Sequence, residues 1–244
     1  MDLATHADRL EGHLTVVKPD ASGRLPVVVQ LHGCGGIQPM QFRYAEAARD
    51  IGLAAVVLDS LGPRAIGRRE AQMTVCSGLR LRGAERAVDV LATLGWLRDQ
   101  PWADPDRIAV AGWSHGGWAI MEALTQAWPV AAAEAEALSR LKAAILFYPY
   151  AGPLSRTRSR GWGANRPKVY ACLGGRDAVV GQVLPDRALQ RLEDDGLDVR
   201  RLILPEATHC FDDPDASDPR SRYRPDLARR ALDFYAAALA EALS

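Results

Sequence analysis

Ile108-Ala109-Val110-Ala111-Gly112-Trp113-Ser114-His115-Gly116-Gly117-Trp118-Ala119-Ile120 holds the decisive pattern. Its first four residues form a short continuous apolar run, as a strand buried on both faces does. Gly112 to Gly116 then fit G-x-S-x-G, and Ala119, Ile120, Ala123 and Leu124 follow at helical spacing. A strand, a tight glycine-flanked turn and a helix place the serine in a strained backbone conformation with its hydroxyl exposed. The plainer alternative is a glycine-rich turn that packs a helix onto a sheet.

On either side, the pattern repeats. Val27 to Leu31, Leu53 to Leu58, Ala143 to Phe147, Val169 to Leu173 and Leu202 to Leu204 are further apolar runs, and Leu14 to Val17 reads as an edge strand. Helical stripes lie between and after them, as in Ala84, Ala87, Val88, Leu91, Leu94 and Leu97, or Leu227, Ala231, Phe234, Tyr235, Ala238 and Leu239. Alternating strands and helices predict an α/β fold, a mostly parallel twisted sheet with helices on both faces. Asp104-Pro105-Asp106 reads as a turn before the Ile108 strand, and Tyr148 to Arg166 as one long loop. No repeat or long linker divides residues 1–244, so one domain is expected.

Composition limits the function classes. The 244 residues carry 30 Lys plus Arg and 30 Asp plus Glu, a formal net charge of zero, which argues against a surface built broadly for nucleic acid. No apolar stretch approaches a membrane span, and Met1 to Glu11 lacks a signal-peptide core, so a cytoplasmic protein is expected. Cys34, Cys76, Cys172 and Cys210 show no zinc spacing and read as four reduced thiols, although a disulfide stays open. No metal or cofactor is expected, and a monomer or small homo-oligomer is.

In open parallel sheets, sites form beyond the carboxyl ends of the strands. Ser114 is the candidate nucleophile and needs a base. His209 follows the last strand and is the only histidine beyond the Ser114 turn, His115 lying within the turn itself. Asp177, after the Val169 to Leu173 strand, is the preferred acid to orient it, with Asp186, Asp194 and Asp212 as rivals. An oxyanion would be met by the backbone N–H of His115 and by one from Gly33-Cys34-Gly35-Gly36, for which Cys34 is favoured.

The combination of His32-Gly33-Cys34-Gly35-Gly36, Asp59-Ser60-Leu61-Gly62-Pro63-Arg64, Asp104-Pro105-Asp106-Arg107, the Ser114 turn, Gly175-Arg176-Asp177 and Thr208-His209 resembles the dienelactone hydrolase family of α/β-hydrolases. The resemblance runs from about Leu25 to the C-terminus. It implies an α/β-hydrolase fold without a separate cap domain, and hydrolysis of a small ester or lactone through Ser114, His209 and Asp177. Founding members of that family carry cysteine where this chain has Ser114, which shifts the expected substrate from dienelactone toward a broader range of esters. A peptidase or acyltransferase on the same three residues is the near alternative, and a non-catalytic ligand-binding protein the distant one. Arg64, Trp113, Arg156 and Trp162 are the candidate substrate-binding residues. The arginines among them, with Arg68, Arg69, Arg158, Arg160 and Arg166 nearby, read first as solvated loop charges, and the sharper alternative is that one or two of them bind a substrate carboxylate.

Overall fold

The apolar runs become strands covered on both faces. The computed structural model describes residues 3–125 and 132–244. In chain order its elements are α1 (Leu3–Glu11), β1 (Leu14–Val17), β2 (Leu25–Leu31), α2 (Pro39–Asp50), β3 (Ala54–Leu58), a 3-10 turn (Gly62–Arg64), α3 (Arg68–Thr74), α4 (Gly83–Arg98), β4 (Ala103–Trp113), α5 (His115–Thr125), α6 (Ala132–Ser139), β5 (Ala143–Phe147), α7 (Thr157–Arg160), β6 (Lys168–Gly174), α8 (Val183–Asp194), β7 (Val199–Leu204) and α9 (Pro225–Leu243). The seven strands form one sheet in the order β1-β3-β2-β4-β5-β6-β7. β1 pairs antiparallel with β3 at one edge, and every other pairing is parallel.

Residues alternate between two cores. Val27, Val29, Leu31, Val110, Ala144 and Leu146 pack with α4, α5 and α8. Val28, Ala109, Ala111, Ile145 and Phe147 pack with α2 and α9 on the other face. Both sets are apolar, so the runs read as continuous rather than alternating.

The topology places the site. From β2 the chain crosses to β3 on one side, while from β4 it crosses to β5 on the other. The direction of winding therefore reverses between β2 and β4, and a crevice opens beyond their carboxyl ends. His32 to Gly36 leave β2 there, and Ser114 leaves β4. β6 and β7 end toward the same rim and lead to Asp177 and His209.

Three expectations need correction. Asp104-Pro105-Asp106 lies inside β4, not before it. Ala103 already pairs with Leu25, and the register then jumps so that Val27 faces Ile108. The Asp104 carboxylate accepts the Asp106 N–H at 3.0 Å, so the turn chemistry becomes a bulge in a strand. The segment after β5 is not all loop, since α7 lies within it. Finally, Cys34 and Cys76 are joined by a disulfide, with Cα atoms 5.1 Å apart, while Cys172 and Cys210 are free. With that bond formed, the cysteines no longer argue for a reducing compartment. Among the described residues, no helix is long and apolar enough to cross a membrane.

Candidate active site

Ser114 occupies the sharp turn between β4 and α5 with φ of +51°, a left-handed conformation that is uncommon outside glycine. Backbone bonds hold it there. Its N–H donates to the Phe147 carbonyl at 2.9 Å, and its carbonyl accepts from the Trp118 and Tyr150 N–H groups at 3.1 and 3.2 Å. The turn closes tightly enough that α5 starts against the end of β2. A Cβ on Gly116 would overlap the carbonyl oxygens of Leu31 and His32, and one on Gly112 would lie 2.6 Å from the Gly116 carbonyl carbon. These obstacles are backbone atoms with no rotamer to give way. Gly116→Ala is therefore expected to cost about 3 kcal/mol or more. That is a fall in Tm of about 10 °C or failure to fold. A melting temperature within about 2 °C of the parent would refute the close-approach argument.

The three side chains singled out in sequence meet at the rim. His209 Nε2 lies 2.9 Å from Ser114 Oγ, and His209 Nδ1 lies 2.7 Å from Asp177 Oδ2. The other Asp177 oxygen accepts the N–H groups of Val179 and Val180 at 2.8 and 3.0 Å, which fixes the carboxylate plane. In the neutral ring Nδ1–H donates to Asp177, so Nε2 is left to accept the Ser114 proton. Burial disfavours the charged imidazolium. Even so, the Asp177 hydrogen bond and charge, with Cys210 beside the ring, outweigh burial and push His209 up to about 10.

Asp212, a rival acid in sequence, has a different place. It accepts Tyr148 and Tyr44 hydroxyls at 2.7 and 2.8 Å and the Trp113 indole N–H at 3.3 Å. Burial raises its carboxyl pKa despite these donors. The Tyr148 ring it holds meets the His209 ring edge-on, with centroids 4.8 Å apart. Asp212 thus braces the wall behind the imidazole and does not touch it.

The glycine loop is supported from beneath. His32 is fully buried, and burial with the nearby Arg86 charge lowers its pKa, so the ring is neutral. Its Nδ1–H donates to the Gly33 carbonyl at 2.5 Å, and its Nε2 accepts the Ser60 N–H at 3.1 Å, tying the end of β2 to the end of β3. Arg86 of α4 donates to the His32 carbonyl at 2.7 Å, to Ser60 Oγ at 2.8 Å and to His115 Nδ1 at 3.2 Å. Burial pulls this guanidinium down to about 10, still charged at neutral pH. Burial, followed by the Arg86 charge, holds His115 well below the usual imidazole range, in keeping with its role as acceptor. The expected oxyanion donors, the N–H groups of Cys34 and His115, thus sit on two segments joined by one buried cation. Sequence reasoning did not reach Arg86, which looks like an ordinary polar helix position.

A cavity of about 630 Å³ opens above Ser114, walled in part by Gly33, Cys34, Trp118, Tyr150 and Val180. Most of the candidate substrate-binding residues are engaged elsewhere. Arg64 forms an ion pair with buried Asp89 at 2.7 Å, and Arg156 with buried Glu122 at 3.1 Å. Trp162 is 1% exposed and belongs to the α4–α5 core. None of these three lines the cavity. Trp113 reaches its floor but is stacked on Phe147, centroids 4.9 Å apart. Arg68 and Arg220 are the arginines on the cavity wall, and Arg220 is paired with Asp218 at 2.6 Å. Among the described residues, no group of three or more His, Cys, Asp or Glu is arranged to hold a metal ion.

Known proteins share this framework. The structure resembles a promiscuous phosphotriesterase, dienelactone hydrolase-like P91 from metagenomic libraries, with 20% identity, a TM-score of 0.70, and coverage of 96% of this chain and 100% of that one. It also resembles an esterase from Thermogutta terrifontis solved with propionate bound, with 20% identity, a TM-score of 0.68, and coverage of 93% and 88%. At such identities the likeness establishes the α/β-hydrolase fold alone. In sequence, 112 residues are 30% identical to a protein of Fusarium vanettenii described as "Probable dipeptidyl-aminopeptidase B", matching 44% of this chain but only 12% of that protein's length. The model of the dienelactone hydrolase family matches residues 13–241, nearly the whole polypeptide, and the chain belongs to that family.

Proposed function

We propose that this hydrolase cleaves a small carboxylic ester or lactone through an acyl-enzyme on Ser114. The observation that carries the proposal is the unbroken chain from Ser114 Oγ through His209 to Asp177, at 2.9 and 2.7 Å. Neutral His209 takes the hydroxyl proton as Ser114 Oγ attacks the carbonyl carbon. The developing oxyanion is met by the N–H groups of Cys34 and His115, and α5 adds the positive end of its dipole. The imidazolium, stabilised by Asp177, returns the proton to the leaving alkoxide. Water then attacks the acyl-enzyme by the same route in reverse. Several cavity walls are apolar or aromatic, which suits a compact uncharged acyl group.

The likeness to a peptidase over part of the chain motivates a second reading, amide hydrolysis on the same residues. Purified protein assayed with p-nitrophenyl acetate, a small lactone and a p-nitroanilide separates the two. Turnover of the ester and lactone without the anilide is expected. Preference for the anilide would move the assignment to a peptidase, and no turnover together with no labelling by a fluorophosphonate would remove the hydrolase reading.

A further inference from the structure

The structure places the Cys34–Cys76 disulfide where it acts on the oxyanion loop, and we propose that this bond positions the loop, making turnover dependent on its oxidation state. The inference rests on the hydrolase reading above and goes beyond it.

The loop has little else to hold it. His32 and Arg86 fix its start, and the Gln38 N–H with the Gln41 side chain fixes its end at 2.7 Å. Between them, the turn relies on two long hydrogen bonds, Gly36 N–H to the Gly33 carbonyl and the Gln38 amide to the Gly35 carbonyl, both at 3.4 Å. Gly33, Gly35 and Gly36 supply no side chains to anchor it. Among the described residues, the Cys34 N–H donates no hydrogen bond, so it is free for an oxyanion. Cys34 alone packs outward, against the small cluster of Leu61, Ile66, Ala71, Val75 and Leu81.

That cluster belongs to the lobe between β3 and α4, which carries α3 and ends beside the cavity. It is far smaller than the two sheet cores, and Met73 and Leu79 of the lobe stand 68% and 77% exposed. The disulfide spans 42 residues and is the covalent tie between this lobe and the loop. Both cysteines line the cavity above Ser114. Cys34 is half-buried and Cys76 exposed, so a reductant can reach the bond from outside.

The chemistry balances with a dithiol as reductant. Its thiolate attacks Cys76 Sγ, the Cys34–Cys76 bond breaks, and Cys34 leaves as a thiolate. The second thiol of the reductant then displaces Cys76. The dithiol closes to its own disulfide, and its two protons and two electrons end on Cys34 and Cys76. Freed of the tie, the 34–36 turn departs from the geometry in which its N–H meets the oxyanion.

The test compares air-oxidised protein, the same protein after dithiothreitol and anaerobic removal of the reagent, and Cys76→Ser without reductant. A non-reduced digest analysed by mass spectrometry reports the Cys34–Cys76 cross-link. With p-nitrophenyl acetate, reduced protein and Cys76→Ser should both show kcat about 10- to 100-fold below the oxidised protein, as expected for a displaced oxyanion donor, with KM within about 2-fold. The rate constant of fluorophosphonate labelling should fall in parallel while its final stoichiometry stays at one. Equal kcat in both redox states, an oxidised digest without the cross-link, or a loss matched by fewer labelled molecules overturns the proposal. Protein that hydrolyses and labels but ignores reductant sinks only the positioning role. Protein that does neither in any form sinks the hydrolase reading and this inference with it.

Discussion

Replacing Ser114 by alanine is expected to lower ester hydrolysis by about 10⁴- to 10⁶-fold and to abolish fluorophosphonate labelling, with Tm changed by no more than about 2 °C. The size of the loss follows from the site's economy of nucleophiles. Cys34 is locked in a disulfide, and Cys172 lies in the core with burial raising its thiol pKa well above normal. Cys210 is free on the cavity wall, but the base nitrogen His209 Nε2 is bonded to Ser114 Oγ. What remains after the substitution is oxyanion stabilisation of an attacking water. The fold should survive because the bonds that hold residue 114 at φ +51° are made by its backbone, through the Phe147, Trp118 and Tyr150 main chain. Alanine keeps all three and removes only Oγ, whose partner is His209. Residual hydrolysis above about a tenth of the parent rate would mean that another group attacks the substrate.

Much of this site was legible because it depends on local pattern. A doubly covered strand reads as a continuous apolar run, so Val27 to Leu31 and Ala143 to Phe147 announced themselves. The tight approach of α5 to β2 requires glycine at 116, and the closure of the turn onto the first residues of α5 requires it at 112, leaving the G-x-S-x-G signature. Chain order and strand ends then left few candidates for the base and acid. What stayed hidden depends on tertiary neighbours. Arg64 and Arg156 follow strand ends, where ligand-binding arginines are sought. Their partners Asp89 and Glu122 are single helix residues whose burial no periodicity reveals. The Cys34–Cys76 bond joins two elements 42 residues apart and could be found only from their proximity in space. Asp104-Pro105-Asp106 has ordinary turn chemistry, and only the pairing of Ala103 with Leu25 turns it into an interruption within a strand.

Asp212 and Asp177 show why two buried carboxylates near one histidine are not interchangeable. Asp212 accepts from three neutral donors, and burial raises its pKa. Asp177 has one oxygen on two backbone N–H groups and the other on the imidazole. Loss of Asp177 therefore cannot be made good by Asp212, whose oxygens are already occupied and directed into the aromatic cluster of Tyr44, Trp113 and Phe147.

Asp177→Asn is accordingly expected to lower kcat by about 10⁴-fold, or about 5.5 kcal/mol of transition-state stabilisation. Val179 and Val180 N–H groups demand an acceptor, so the asparagine carbonyl oxygen turns toward them and its NH₂ toward His209 Nδ1. That nitrogen must then accept, the ring proton moves to Nε2, and His209 can no longer take the Ser114 proton. The pH profile should shift as well. In the parent, His209 is raised from 6.5 to about 10, so the neutral base accumulates only as pH rises and the acid limb of kcat/KM lies above 6.5. By linkage, the stability this pair contributes is fully present below 6.5 and is lost as pH climbs through the folded-state value. Without the Asp177 charge, burial is the largest remaining influence and favours the neutral ring, so the acid limb of the residual activity should move down by at least about one pH unit. A conservative variant that merely loosened packing would reduce the rate without moving that limb. An Asp177→Asn enzyme within 10-fold of the parent, or one whose acid limb stays in place, would show that Asp177 neither sets the tautomer nor holds the proton on His209.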